Sequence, residues 1–207
     1  MSKCLYVWFM STFRKFLAIG TVGAVSIMGA GVASGATHAG PNGTSNVSIA
    51  HVVKTVKVAF KGSYKGTMKF LWSSSTVAAT IVSGRGAGTY MAGGTMTGHG
   101  TGADTAYSDP FSGTGVLSGA GSKLMVSVIK TSSSASVAGG TTSGPQSPPT
   151  TVTVVGKAKV TGGTGKWKGV SGTLKFSGSF SVANSTAGTT ESDSFTATLS
   201  GPLTVKH

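Results

Sequence analysis

Toward the C-terminus of this chain, Phe195, Ala197, Leu199, Gly201, Leu203 and Val205 occupy one parity, while Thr196, Thr198, Ser200, Thr204 and Lys206 occupy the other. Successive side chains of an extended strand point to opposite faces, so such a segment has one apolar and one polar face. The pattern recurs where Leu174, Phe176, Gly178, Phe180 and Val182 alternate with Lys175, Ser177, Ser179 and Ser181, and again along Val152, Val154, Gly156, Ala158 and Val160. Further strand-like runs cover residues 47–60, 66–73, 76–83, 87–97, 111–118 and 122–131, and no window beyond residue 46 sustains a helical period. Many strands, each with a single apolar face and joined mainly by short glycine turns, predict an all-β domain. The expected form is a closed antiparallel β-barrel of about eight strands, with a β-sandwich as the alternative.

The domain is expected to begin only after an export signal. Arg14 and Lys15 precede an uncharged apolar run, Phe16 to Ala36, that closes on Ser34, Gly35 and Ala36. A basic segment, an apolar segment and a small-residue site are the parts of a secretory signal peptide. The expected organisation is therefore a signal peptide at 1–36, a flexible segment at 37–46 and one domain at 47–207. The expected location is secreted or cell-envelope associated, with a membrane anchor formed by uncleaved residues 16–36 as the alternative. Met1 and Met10 are alternative starts. Cys4 is the single cysteine and lies ahead of the apolar run, so the exported chain has no disulfide and no thiolate metal ligand. Residues 132–150, rich in Ser, Thr, Pro and Gly and free of charge, are expected to form a long loop within the domain.

Charge is sparse and one-sided. The formal net charge is +13, from 17 Lys and Arg against four acids, and it falls to +10 without Lys3, Arg14 and Lys15. Lys54, Lys57, Lys61, Lys65 and Lys69 fall on or beside one half of a weak internal echo, "FKGSYKGTMKF". Lys157, Lys159, Lys166, Lys168 and Lys175 fall on or beside the other half, "WKGVSGTLKF". Read as two hairpins brought together by closure of the barrel, they predict a basic patch for polyanions such as anionic cell-envelope polymers, with Tyr64, Trp72 and Trp167 available for stacking. No pattern points to a specific nucleic acid.

The glycine-rich stretch "VTGGTGKWKGVSGTLKFSG" is not a phosphate loop. Gly165-Lys166 is followed by Trp167 rather than Ser or Thr, Val160 stands where the first glycine belongs, and a strand rather than a helix follows. A turn between two strands explains it. With its GGTG, aromatic and Gly-Thr leading into a long strand, the stretch resembles the late hairpin of the allene oxide cyclase and dirigent barrel superfamily, exported bacterial type, over Val160 to Gly178. That resemblance implies a closed eight-stranded barrel with a cavity at one mouth, a homo-oligomer such as the trimer of plant members, and either isomerase (cyclase) activity on an unsaturated fatty epoxide or steering of phenoxy-radical coupling. The matching motif is a turn and carries no functional residue with it. The Asp and Arg set of dirigent pockets is not found, since beyond the signal the chain has one arginine, Arg85.

Among reactive residues, Glu191 and Asp193 share parity with Phe195, Ala197 and Leu199. Acids and small polar residues cluster at strand ends, so a solvated loop is expected at 184–193 with the strand beginning at Ser194. A strand extending further back is the alternative, which would turn both carboxylates toward the barrel interior as candidate acids. His51, His99, Asp104 and Asp109 have no metal-ligand spacing, and His99 is placed in a glycine loop, so neither a metal nor a cofactor is expected. No Ser stands in a nucleophile elbow. Three functions follow: a non-enzymatic exported binding or structural module, a cyclase or steering protein with a small apolar ligand in the barrel, and a polyanion-binding surface protein.

Overall fold

The computed structural model describes residues 53–104, 108–137 and 145–206, all within one compact unit, Ile49–His207. The expected signal peptide, the segment at 37–46 and His51 lie outside the described residues.

Nine strands run in chain order: β1 (Thr55–Trp72), β2 (Thr76–Gly88), β3 (Met91–Ala103), β4 (Ser108–Gly119), β5 (Ser122–Val128), β6 (Ser134–Val137), β7 (Pro145–Thr164), β8 (Ser171–Asn184) and β9 (Thr190–Lys206). All pairings are antiparallel. The sheet closes on itself, because β1 pairs with both β2 and β9 while β3 also pairs with β4. Closure makes the protein a β-barrel and excludes the sandwich. β5 and β6 both lie between β4 and β7, so together they form one interrupted stave and the barrel has eight. No described residue is α-helical, and among the described residues no helix is long and apolar enough to cross a membrane.

Three expectations require correction. Among the described residues, the runs expected at 47–60 and 66–73 belong to one strand, and "FKGSYKGTMKF" is not a hairpin, because β1 runs unbroken through Gly62 and Gly66. Here glycine makes room rather than a turn. A Cβ on Gly62 would stand 3.0 Å from the Tyr64 ring, and one on Gly86 of β2 would stand 2.8 Å from it. The loop expected at 132–150 is shorter, since β6 and the start of β7 fall within it and only 138–144 lie outside the described residues. His99 lies on β3 rather than in a glycine loop.

The interior is packed in two clusters. The first, which includes Phe60, Tyr64, Met91, Leu117, Leu174 and Leu203, fills the end where β1 begins and β9 finishes. Its plug is Trp167, 0% exposed, carried by a single 3-10 turn (Gly165–Trp167) between β7 and β8 and packed edge-on to Phe60 at 5.6 Å between ring centroids. The second cluster, built on Phe70, Trp72, Val152 and Val182, closes the opposite end. Each such side chain removed from water contributes about 1.5–3 kcal/mol.

Candidate functional site

Between the two clusters the barrel is hollow. Midway along the barrel β3 and β4 present glycine inward, where the register sets Gly98 opposite Gly115 and Gly100 opposite Gly113. Two facing pairs without side chains leave that wall as bare backbone. The glycines also permit the strands to coil closely, since a Cβ at Gly98 or Gly100 would stand 2.6 Å from a carbonyl oxygen of β4. The resulting cavity, of about 200 Å³, is bounded on its other sides by Met68, Phe70, Ile81, Phe111, Phe176 and Phe180 among others. Ring contacts fix two of its edges, Phe111 to Phe176 at 5.8 Å and Phe70 to Phe180 at 4.7 Å. An eight-stranded barrel has an interior that side chains can just fill, so glycines on adjoining staves are enough to open it.

The polar content of the lining is small. Asp109 of β4, 7% exposed, is its one carboxylate. His99 contributes to the wall, but the residue is exposed and its Nε2 lies 3.4 Å from the Thr114 hydroxyl on the outer face. No cluster of three or more His, Cys, Asp or Glu exists among the described residues.

Strand β9 does extend to Thr190, so Glu191 and Asp193 take the inward parity rather than lying in a loop. Neither lines the cavity. The Ala183 and Asn184 amides donate to Glu191 Oε2 at 3.1 and 2.8 Å, so this carboxylate clasps the end of β8. Asp193 stands in register with Met68 of β1. The carboxylate that reaches the cavity is Asp109, which parity along "DPFSG" could have identified had β4 been extended back to Ser108.

The basic residues do come together outside. Lys57, Lys61, Lys65 and Lys69 are the exposed side of β1, Lys157 and Lys159 of β7, and Lys175 of β8; Lys54 precedes β1. Lys166 and Lys168 sit instead beside Trp167 at the barrel end. The two echoed segments are not direct neighbours, because β9 lies between β1 and β8. The aromatic partners expected for stacking are absent from this face, since Tyr64, Trp72 and Trp167 are all buried in the core. Tyr64 and Trp72 take the inward parity of β1, whose lysines face outward, and Trp167 turns inward from its 3-10 turn, so sequence proximity alone could not separate rings from lysines.

Comparisons with known protein families, with curated proteins and with solved structures find no match.

Proposed function

We propose that this protein is an exported, non-enzymatic binding module that holds a small apolar molecule inside its barrel. The observation that carries the reading is the glycine-walled cavity between the two packed clusters. An apolar cavity of about 150 Å³ stays dry and takes up benzene or xenon, so the somewhat larger space here suits a one- or two-ring hydrocarbon or a short alkyl chain. It lies below the roughly 300–1,000 Å³ of sites that enclose drug-sized ligands. Binding without chemistry is favoured because the lining offers one carboxylate, Asp109, while Glu191 is committed to backbone amides. Acid–base work on a bound molecule needs a positioned donor and acceptor on the reacting atoms.

Titration with naphthalene, followed by calorimetry, should give saturable one-to-one binding with a negative heat-capacity change. Ala197→Leu, which projects into the cavity from β9, should abolish it while the far-ultraviolet circular dichroism stays β. Absence of saturable binding by the wild-type protein would sink the reading.

A further inference from the structure

The outer face of β1, β9, β8 and β7 carries an arrangement that the internal cavity does not use. Register places Lys61 of β1 opposite Ser200 of β9, Ser200 opposite Lys175 of β8, and Lys175 opposite Lys157 of β7. These four outward residues form one row across the sheet, with Lys61 and Lys175 about 10 Å apart and Lys175 and Lys157 about 5 Å apart from strand spacing. Along β1 the lysines recur every fourth residue, a step of about 13 Å. Between the cationic positions lie hydroxyls already paired to one another, Ser177 with Thr198 at 2.8 Å and Ser179 with Thr196 at 3.1 Å.

Two features of this face work against stability. Lys157 and Lys175 stand directly opposite each other, as do Lys65 and Arg85. Like charges in that position repel. No acid occupies an outward position on these four strands, because Glu191 and Asp193 take the inward parity of β9 and the other two acids, Asp104 and Asp109, lie on other segments. A chain that keeps uncompensated repulsion at neighbouring sites is organised for an anion that comes from outside.

The backbone adds a groove at the same place. Between β5 and β6 the stave leaves the sheet in a 3-10 turn (Lys130–Ser132), and Ser133 replaces the missing ladder by accepting from the Lys157 amide at 3.3 Å. The interruption leaves an outer depression floored by Lys157, Lys175, Ser177 and Ser200, with Ser132 on its bank.

We propose that this face binds a linear acidic polysaccharide, its carboxylates or sulfates meeting the lysine row and its sugar hydroxyls exchanging hydrogen bonds with the Ser and Thr rows. Charge complementarity calls for a polyanion. Base stacking is not on offer, because Tyr64, Trp72 and Trp167 are buried. Lipid insertion is not either, because the large apolar side chains exposed on these strands, such as Leu71 and Val155, stand singly. Hydroxyl rows that both donate and accept fit a hydrated sugar chain.

The test measures binding of the full chain to polygalacturonate across a salt series, with neutral dextran, single- and double-stranded DNA and anionic vesicles as parallel arms. Polygalacturonate should bind at low salt and be released within a few hundred millimolar, where exposed charges are screened. Lys157→Gln with Lys175→Gln should weaken binding roughly tenfold and, by removing the repulsion, raise the thermal midpoint of the free protein. Lys166→Gln with Lys168→Gln removes the same charge away from the row and should leave binding within about twofold of wild type. Equal weakening by the two double variants, a midpoint that falls in Lys157→Gln with Lys175→Gln, no binding of polygalacturonate at low salt, or tighter binding of DNA or vesicles would each overturn the proposal. Failure here leaves the naphthalene titration untouched, since that concerns the inside of the barrel.

Discussion

Glu191 Oε2 accepts the Asn184 amide at 2.8 Å and the Ala183 amide at 3.1 Å, so one carboxylate oxygen ties the beginning of β9 to the end of β8. The connection between these strands contains a turn in which the Thr186 amide donates to Asn184 Oδ1 at 3.0 Å and Thr189 donates to the Thr186 carbonyl. Backbone pairing of the two strands reaches only Phe180 with Phe195, so the carboxylate takes over where the ladder stops.

Glu191→Ala leaves the two amides without this acceptor. Each hydrogen bond to a charged group contributes about 1.5–3 kcal/mol, less where water can replace it. The expected loss in a urea unfolding experiment is therefore about 2 kcal/mol, with Glu191→Gln losing less because its carbonyl oxygen still accepts. Equal stability of Glu191→Ala and wild type would show that the clasp carries no weight.

Tyr64 makes stability depend on pH in the alkaline range. Burial among apolar side chains, with the hydroxyl near Met91 Sδ at 4.0 Å, raises its pKa above the ordinary 10.0. Below about pH 10 the phenol is protonated in both the folded and unfolded chain, and its contribution is fully present. As the pH rises further the unfolded chain loses the proton first, so stability falls until the folded pKa is passed. Tyr64→Phe should flatten this alkaline decline when thermal midpoints are compared between pH 9 and 11. A decline of unchanged steepness would assign it to other groups.

The turn from β4 to β5 has two residues, Ala120 at φ 48° and Gly121 at φ 70°. Positive φ at both positions is the type I′ geometry that Asn-Gly satisfies, and an alanine held there costs about 1–2 kcal/mol. Ala120→Asn should raise stability by about 1 kcal/mol in the same urea assay. A loss of stability would mean that the turn is not of this type in solution.

Alternation made most of β8 and β9 and the middle of β7 legible, because each has one wet face rich in Ser, Thr and Lys and one dry face. It failed at Gly62 and Gly66, where glycine has the same letter whether it turns a chain or makes room for a neighbouring strand or ring. A Cβ on Gly66 would run into the Ser83 carbonyl, a collision between residues seventeen apart that no local window contains. The cavity was hidden for the same reason. "GHGTGA" reads as a broken segment until β4 supplies Gly113 and Gly115 as its partners. Parity offered an inward Glu191, but the polar run before Ser194 read as a loop until β9 proved to begin at Thr190. Parity also sets the face and not the reach, and the clasp on Ala183 and Asn184 depends on where β8 ends.

Gly113 is where these two meanings of glycine can be tested apart. Its residue faces the cavity, yet a Cβ there would stand 2.7 Å from the His99 carbonyl and 3.0 Å from Gly100 Cα, so the obstacle is the backbone of β3 rather than a movable side chain. If glycine served only to leave the cavity open, Gly113→Ala would fill about one methyl of apolar space at little cost. If it serves close strand approach, β3 and β4 must separate and the ladder must open where Gly100 faces Gly113. Overpacking of this kind costs about 1–3 kcal/mol, and the geometry predicts that outcome. Hydrogen exchange of the β3 and β4 amides should quicken in Gly113→Ala while β8 and β9 keep their protection. Unchanged stability with unchanged exchange would mean that the wall of the cavity is bare for ligand space alone.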